Sequence, residues 1–452
     1  MWKVTGPPIS AFHPELGDLA QAAIAWSHRR SQQQVTCEFS ICTPPQNNNY
    51  LIFAGLAPLL DLLESWSLSA ELIEYLRYHP AFASVPLSWL EYLSTLRFTG
   101  DIWSLREGTH FWATSPVLRV TAPFDQAVIL TTEILGILTS AIRVASKVGR
   151  LMSAAEGRQL IEMGSRHCSS AIEALLQTRA AYLAGMLTTT NAEAARLLGL
   201  PTHLLMPHDW PMLLGDEVEA FHRFGAIFST MSIPVCDSFD SLQGIRHAIA
   251  SGSPLQAVRL DCGDHAALSI EARKLLDQAN RRHVKIIASG NLNEENIARL
   301  VKQRVPVDGF AVGSCLSTGQ LNSVYKLVAS REPDGTWVPI AQLALGKRHY
   351  PHAKQLVRFH QDDGTFAHDV VSMETEAQDG EPQLLKMMQH GTRCNRLASL
   401  EEARDYCLMQ RIRLPAELLE LAVQKPGYPV RYSDQLENEM QRVTQLRVRQ
   451  TL

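Results

Sequence analysis

From residue 204 onward the chain repeats a cadence: a short apolar run ends in polar or glycine residues, and a helical pattern follows. The runs are Leu204-Leu205-Met206, Ile233-Pro234-Val235, Ala257-Val258-Arg259-Leu260, Val284-Lys285-Ile286-Ile287 and Phe310-Ala311-Val312. Their centres lie roughly 24 to 30 residues apart, the length of one strand, one helix and two loops. Helical patterns fill the gaps at 216–228, 241–250, 267–280 and 294–304, the last opened by the capping candidates Asn291 and Asn293. Strands that alternate with helices at this spacing pair in parallel. Five such units in succession predict an α/β fold with a closed or partly closed βα barrel.

The residues that follow these runs are His208-Asp209, Asp237, Asp261-Cys262-Gly263-Asp264, Ser289-Gly290-Asn291 and Gly313-Ser314. In a βα barrel they share the carboxyl rim, where the loops build a site. The polar set is thus expected to converge although it is scattered along the chain.

Upstream, residues 5–124 mix helical segments at 57–66 and 69–78 with strand-like pieces such as 117–120, which reads as a separate α/β or α+β domain leading into a long helix at 129–150. The cadence stops after Val328, and residues 414–452 read as a charged helical tail. The expected division is 1–125, 126–330 for the barrel, and 331–452 for a C-terminal segment partly packed on the N-terminal domain.

Composition excludes several classes of function. Across 452 residues, 42 Lys and Arg meet 46 Asp and Glu, a net charge of -4 that gives no basic field for nucleic acid. The most apolar stretch, 127–148, carries Glu133, Arg143 and Lys147, so it is not a membrane-spanning helix. Met1 to Pro8 has no apolar signal core, and the expected address is cytoplasmic. The eight cysteines form no C-x-x-C pair and read as reduced thiols. The close histidine pairs, His203/His208 and His349/His352, have no metal-site spacing, and no protein-held metal is expected.

Four groups could carry chemistry. Ser289-Gly290 and Gly313-Ser314 resemble a barrel phosphate site, in which backbone N–H groups hold an anion and glycine lets the backbone come close; they could equally be tight turns. Asp261 and Asp264 flank a turn after a run holding the unusual Arg259. They could accept hydrogen bonds from a sugar, hold Mg²⁺ through water or stabilise a positive charge, or they could make an Asx turn and cap a helix. His208 could be oriented by Asp237 and act as nucleophile or base, or be structural. Arg143, Lys147 and Arg150 share a helix face, with Arg166 following in Gly164-Ser165-Arg166; they form a solvated basic face or grip a polyphosphate.

These pieces, in this order, resemble the nicotinate phosphoribosyltransferase family. The resemblance starts near Gly17-Asp18-Leu19 and strengthens at Tyr50-Leu51-Ile52-Phe53-Ala54-Gly55-Leu56. It continues through Phe98-Thr99-Gly100-Asp101, Glu107-Gly108-Thr109, Ala145-Ser146-Lys147-Val148-Gly149-Arg150 and Gly164-Ser165-Arg166. Asp237-Ser238-Phe239-Asp240-Ser241, Val258-Arg259-Leu260-Asp261-Cys262-Gly263-Asp264, Ser289-Gly290-Asn291-Leu292 and Phe310-Ala311-Val312-Gly313-Ser314 follow, and Val324-Tyr325-Lys326-Leu327-Val328 and Gly346-Lys347 close the series.

The resemblance implies an irregular βα barrel of the type II phosphoribosyltransferase kind with an N-terminal α/β or α+β domain. It implies transfer of phosphoribosyl from phosphoribosyl pyrophosphate to the ring nitrogen of nicotinate, with Mg²⁺, and ATP hydrolysis coupled through a phosphohistidine at His208. It places Asp237 as the partner of that histidine, Arg259 and Asp261 near ring and ribose, and Gly313-Ser314 at a phosphate. A homodimer is implied as well. The departures cluster where the pyridine ring should bind. Ala20 and Met163 stand where the family has tyrosine and phenylalanine, His167 replaces a second arginine, and Ser169 replaces a histidine. Leu204-Leu205 replaces Gly-Thr, and the loop at 310–314 has Ala311 and Ser314 for glycine and threonine. Thr190 stands where relatives that take nicotinamide have an aspartate, which favours an acid over its amide. Another heteroaromatic acid as acceptor, or a non-catalytic relative, are the alternative readings.

Overall fold

The computed structural model describes residues 13–43, 47–229, 231–344 and 349–451. The Met1 to Pro8 and Gly346-Lys347 readings lie outside them. The chain divides into two compact units, one of residues 1–142, 321–418 and 424–452, the other of 143–320 with 419–423.

The first unit draws its main sheet from distant parts of the chain. Gln34–Thr43 lies between Pro116–Pro123 and Asn322–Arg331, antiparallel to both, and Asp101–Ser104 joins Pro116–Pro123 to Leu385–Gln389. A second sheet pairs Lys354–His360 with Phe366–Met373. The helices Leu56–Glu64, Ala70–Tyr78 and Leu87–Thr95 bury Leu59, Leu60, Leu63, Leu76, Trp89 and Leu93 in one apolar core with the sheet residues Phe39, Ile102 and Val120. The tail read as wholly helical contains a strand, Val430–Tyr432, parallel to Phe366–Met373. Val430 and Tyr432, two apart, place a β-branched and an aromatic side chain against the core, which suits a pleated edge. The helix Asp434–Thr451 follows.

The second unit is a barrel. Its parallel sheet runs Thr188–Thr189, Gln159–Glu162, Gly309–Val312, Lys285–Ala288, Ala257–Leu260. Two segments without regular strand structure close the ring. Thr202 bridges Thr189, Met206 N donates to Ile233 O, and Val235 bridges Arg259. The runs expected as strands at 204–206 and 233–235 are therefore barrel staves held by single bridges. Pro201, Pro207 and Pro234 lack the N–H that a continuous ladder needs. The flanking helices fall close to where the periodicity put them, at Glu217–Ile227, Ser241–Ala250, His265–Gln278 and Glu294–Lys302. Among the described residues no helix is long and apolar enough to cross a membrane.

The barrel interior holds a layer of Ile161, Ile233, Ala257, Ile287 and Ala311, with Met163 and Leu205 partly buried against it. Side chains two apart on a strand share a face. The next layer towards the carboxyl rim is therefore Met163, Val235, Arg259, Ser289 and Gly313. This layer brings two buried polar side chains, Arg259 and Ser289, in above the apolar floor.

Candidate active site

Arg259 anchors the mouth. It is 4% exposed, and its NH2 donates to Met206 O at 2.9 Å while NH1 donates to Asp261 Oδ1 at 2.8 Å. Ser289 Oγ donates to the same Asp261 oxygen, so a cation and a hydroxyl fix one edge of that carboxylate. Burial works against the Asp261 charge, yet Ser289, Arg259 and His208 together hold its carboxyl below the usual carboxylate range.

His208 sits at the start of the short helix Asp209–Leu214, half-exposed. Its Nε2 lies 3.5 Å from Asp261 Oδ2 and 4.0 Å from Asp237 Oδ1, and its Nδ1 lies 3.3 Å from Ser238 Oγ. The Asp237 side chain is buried, and its Oδ2 accepts the Asp261 N–H at 2.8 Å. Two carboxylates around Nε2 favour the tautomer that carries its proton there, which leaves the Nδ1 lone pair facing Ser238. The imidazole, the acids and Ser289 thus form one connected constellation.

The glycine loops meet this group at close quarters. Gly290 has φ +79°, and a Cβ there would overlap Asp261 O. A Cβ at Gly313 would lie 2.7 Å from Met163 O and 3.3 Å from the His167 ring. Ser314 Oγ donates to Asn291 Oδ1 at 3.5 Å, linking the two loops. His265 Nε2 holds Ser289 O at 2.8 Å.

Other residues singled out from sequence have definite partners. Lys147 and Arg150 do share a face, and it meets Glu294: Lys147 Nζ lies 2.6 Å from Oε2 and Arg150 Nε 2.9 Å from Oε1. Arg143 NH1 donates to Leu316 O at 2.7 Å. Asp264 Oδ1 accepts the N–H groups of Ala266 and Ala267, at 3.0 and 3.3 Å, so it caps the helix His265–Gln278. Thr190 is exposed on the rim, its N–H donating to Glu162 O at 2.9 Å. Arg166 lies in the turn Ser165–His167, after the strand Gln159–Glu162. Sequence reasoning overlooked Ser238, His265 and Glu162. Glu162 left a trace, since a lone acid at the end of the apolar run Leu160-Ile161 is out of pattern.

Among the described residues no group of three or more His, Cys, Asp or Glu is placed to hold a metal. The mouth still suits a cation that arrives on a substrate. Asp237 Oδ1 is buried without a hydrogen-bond partner, and Mg²⁺ is commonly held by one or two carboxylates plus substrate phosphates.

Comparison with known proteins agrees with the architecture. Residues 15–139 match the nicotinate phosphoribosyltransferase (NAPRTase) N-terminal domain, and residues 144–321 match the quinolinate phosphoribosyl transferase C-terminal domain. A nicotinate phosphoribosyltransferase of Mycobacterium tuberculosis, pncB2, is 34% identical over 446 residues, covering 96% of this chain and 94% of that one. The Bacillus subtilis nicotinate phosphoribosyltransferase is 28% identical over 349 residues, 74% of this chain and 69% of that one. The crystal structure of human nicotinic acid phosphoribosyltransferase superposes with a TM-score of 0.81 at 21% identity, covering 94% of this chain and 99% of that one. That of a Pyrococcus furiosus nicotinate-nucleotide pyrophosphorylase gives 0.74 at 23% identity, with 91% and 99% covered. The matched domains and the fold define a phosphoribosyltransferase of the type II barrel class, as the sequence led us to expect. Within that class the chain belongs to the nicotinate phosphoribosyltransferase family, a family of enzymes.

Proposed function

We propose that this enzyme makes nicotinate mononucleotide and pyrophosphate from nicotinate and phosphoribosyl pyrophosphate, a step of NAD salvage, with ATP hydrolysis coupled through His208. The observation that carries the reading is the placement of His208, with Nε2 between Asp261 and Asp237 and Nδ1 beside Ser238.

The nicotinate ring nitrogen bonds to C1 of the ribosyl group as the C1–O bond to pyrophosphate breaks. Asp261 stands ready to stabilise the positive charge that builds on the sugar. Ser289-Gly290 and Gly313-Ser314 offer backbone amides to phosphate oxygens, and Arg166, Arg259 and Thr190 face the acceptor and its carboxylate. Lys147 and Arg150 act through Glu294, the first residue of the helix that follows the Ser289-Gly290 loop. Asp264 orders the loop after Asp261 by capping its helix. His208 takes the γ-phosphoryl group of ATP on Nδ1, releasing ADP, and water later takes that group as phosphate. Asp237 and Asp261 would hold Mg²⁺ carried by the pyrophosphate, which supplies charge neutralisation at the leaving group.

The purified protein should release pyrophosphate only when both substrates are present, and no release at millimolar nicotinate would count against the reading. His208→Ala should abolish acid-labile phosphoprotein and the ATP stimulation while leaving slow transfer.

A second reading, in which another heteroaromatic acid is the acceptor, is favoured by Met163, partly buried against the apolar layer of the barrel, where the resemblance leads one to expect a phenylalanine. Ala20, on Leu16–Ser27, packs against the core of the first unit. A screen of heteroaromatic acids with the same donor separates the two. We further propose that the enzyme works in the cytoplasm as a homodimer, which light scattering tests.

A further inference from the structure

The strand Gln159–Glu162 ends in a buried carboxylate that no step above uses. Glu162 is 1% exposed, and its partners are hydrogen-bond donors. Oε1 accepts the Gly164 N–H at 2.5 Å; Oε2 accepts Thr189 Oγ1 at 2.5 Å and Thr178 Oγ1 at 3.2 Å. Burying a carboxylate is costly unless several donors compensate it, and removing it leaves those donors unsatisfied.

These bonds tie together two neighbouring rim loops. The Gly164 bond fixes the turn that carries Ser165, Arg166 and His167. On the adjoining strand, Thr189 Oγ1 accepts the Asn191 N–H at 3.0 Å, and Asn191 Nδ2 donates across to Ser165 Oγ at 2.8 Å. Thr190, between them, is held by its own N–H on Glu162 O. Gly164 has no slack: a Cβ there would overlap Gln177 Nε2 and lie 2.9 Å from Glu162 Oε1. One buried side chain therefore sets Met163 and Arg166 on one loop against Thr190 on the next.

We infer that Glu162 is a positioning residue for the acceptor side of the site: it presets the spacing between the Arg166 turn and Thr190, and so the fit of a planar ring acid, without touching substrate. The inference rests on the proposed reaction for its kinetic consequence but not for its geometry.

Two measurements test it. In Glu162→Ala the KM for nicotinate should rise about tenfold or more, one lost hydrogen bond to a charged group. The Kd for phosphoribosyl pyrophosphate should stay within about twofold, and Glu162→Gln should recover most of the loss. A merely structural residue would lower thermal stability and leave the KM alone. Independently, amide hydrogen exchange at 163–168 and 189–191 should quicken in Glu162→Ala while the strand Ala257–Leu260 keeps its protection. Thr189→Val, which removes one donor and keeps the shape, should reproduce a smaller version of both effects if the alanine variant does not fold. An unchanged KM, or exchange that quickens evenly over the barrel, overturns the inference. If the wild type shows no turnover, the proposed reaction fails and the exchange result alone decides this one.

Discussion

Gly290 sits against the carbonyl of Asp261 so closely that a side-chain carbon at 290 would overlap that oxygen. The contact joins the loops after two adjacent strands, Ala257–Leu260 and Lys285–Ala288. It also demands a left-handed backbone at φ +79°, which glycine adopts freely. Gly290→Ala should therefore cost about 1–3 kcal/mol and displace Asp261. Thermal melting and kcat should fall together, and an alanine variant with wild-type values would refute the close approach.

The depressed Asp261 carboxyl makes a pH-dependent contribution to stability. Its folded-state value lies below the unfolded one, so the charge favours the fold above about pH 4 and its benefit fades as acid titrates the folded carboxyl. Asp261→Asn should be less stable than the wild type at pH 7, and the gap should close between pH 4 and more acidic solution. Melting temperatures of both proteins across that range check it. A gap that widens in acid would reverse the assigned direction.

Met163 occupies the barrel mouth above Ile161 and Ala311. Met163→Phe offers a ring face to the acceptor, worth roughly 0.5–1.5 kcal/mol, so the KM for nicotinate should drop by about two- to tenfold. An unchanged KM would place the acceptor ring elsewhere.

Glu294 is 2% exposed and pairs with both Lys147 and Arg150. Burial raises its carboxyl, but Lys147, a backbone N–H at Glu294 itself and Arg150 together more than offset the effect and hold it below the usual range. Glu294→Ala leaves two cations facing each other without their shared counter-charge, which should cost about 3–5 kcal/mol. Chemical denaturation measures this directly, and a loss near zero would show that solvent already screens the pair.

Much of the barrel is legible along the chain because its signals are local. The apolar runs at 257–260 and 284–287 and their spacing mark buried parallel strands, and Asp264 and Asn293 carry the chemistry of helix starts in their own side chains. The ordered motifs point to the family, as the 34% identity to the mycobacterial enzyme confirms. Other features depended on closure of the ring. The apolar runs at 204–206 and 233–235 announce two staves, but that isolated bridges to neighbours on both sides hold them in place of a regular ladder is decided by the closed ring. Lys147 and Arg150 announce a basic face, but nothing near them in the chain names Glu294, 144 residues beyond Arg150. The convergence of His208, Asp237 and Asp261 on one rim follows from the order of the strands, whereas their distances, and the clasp of Glu162 on two loops, rest on contacts between distant residues. Periodicity and capping are written in neighbours three or four residues apart, whereas a charge partner is chosen by whichever side chain the folded backbone brings within reach.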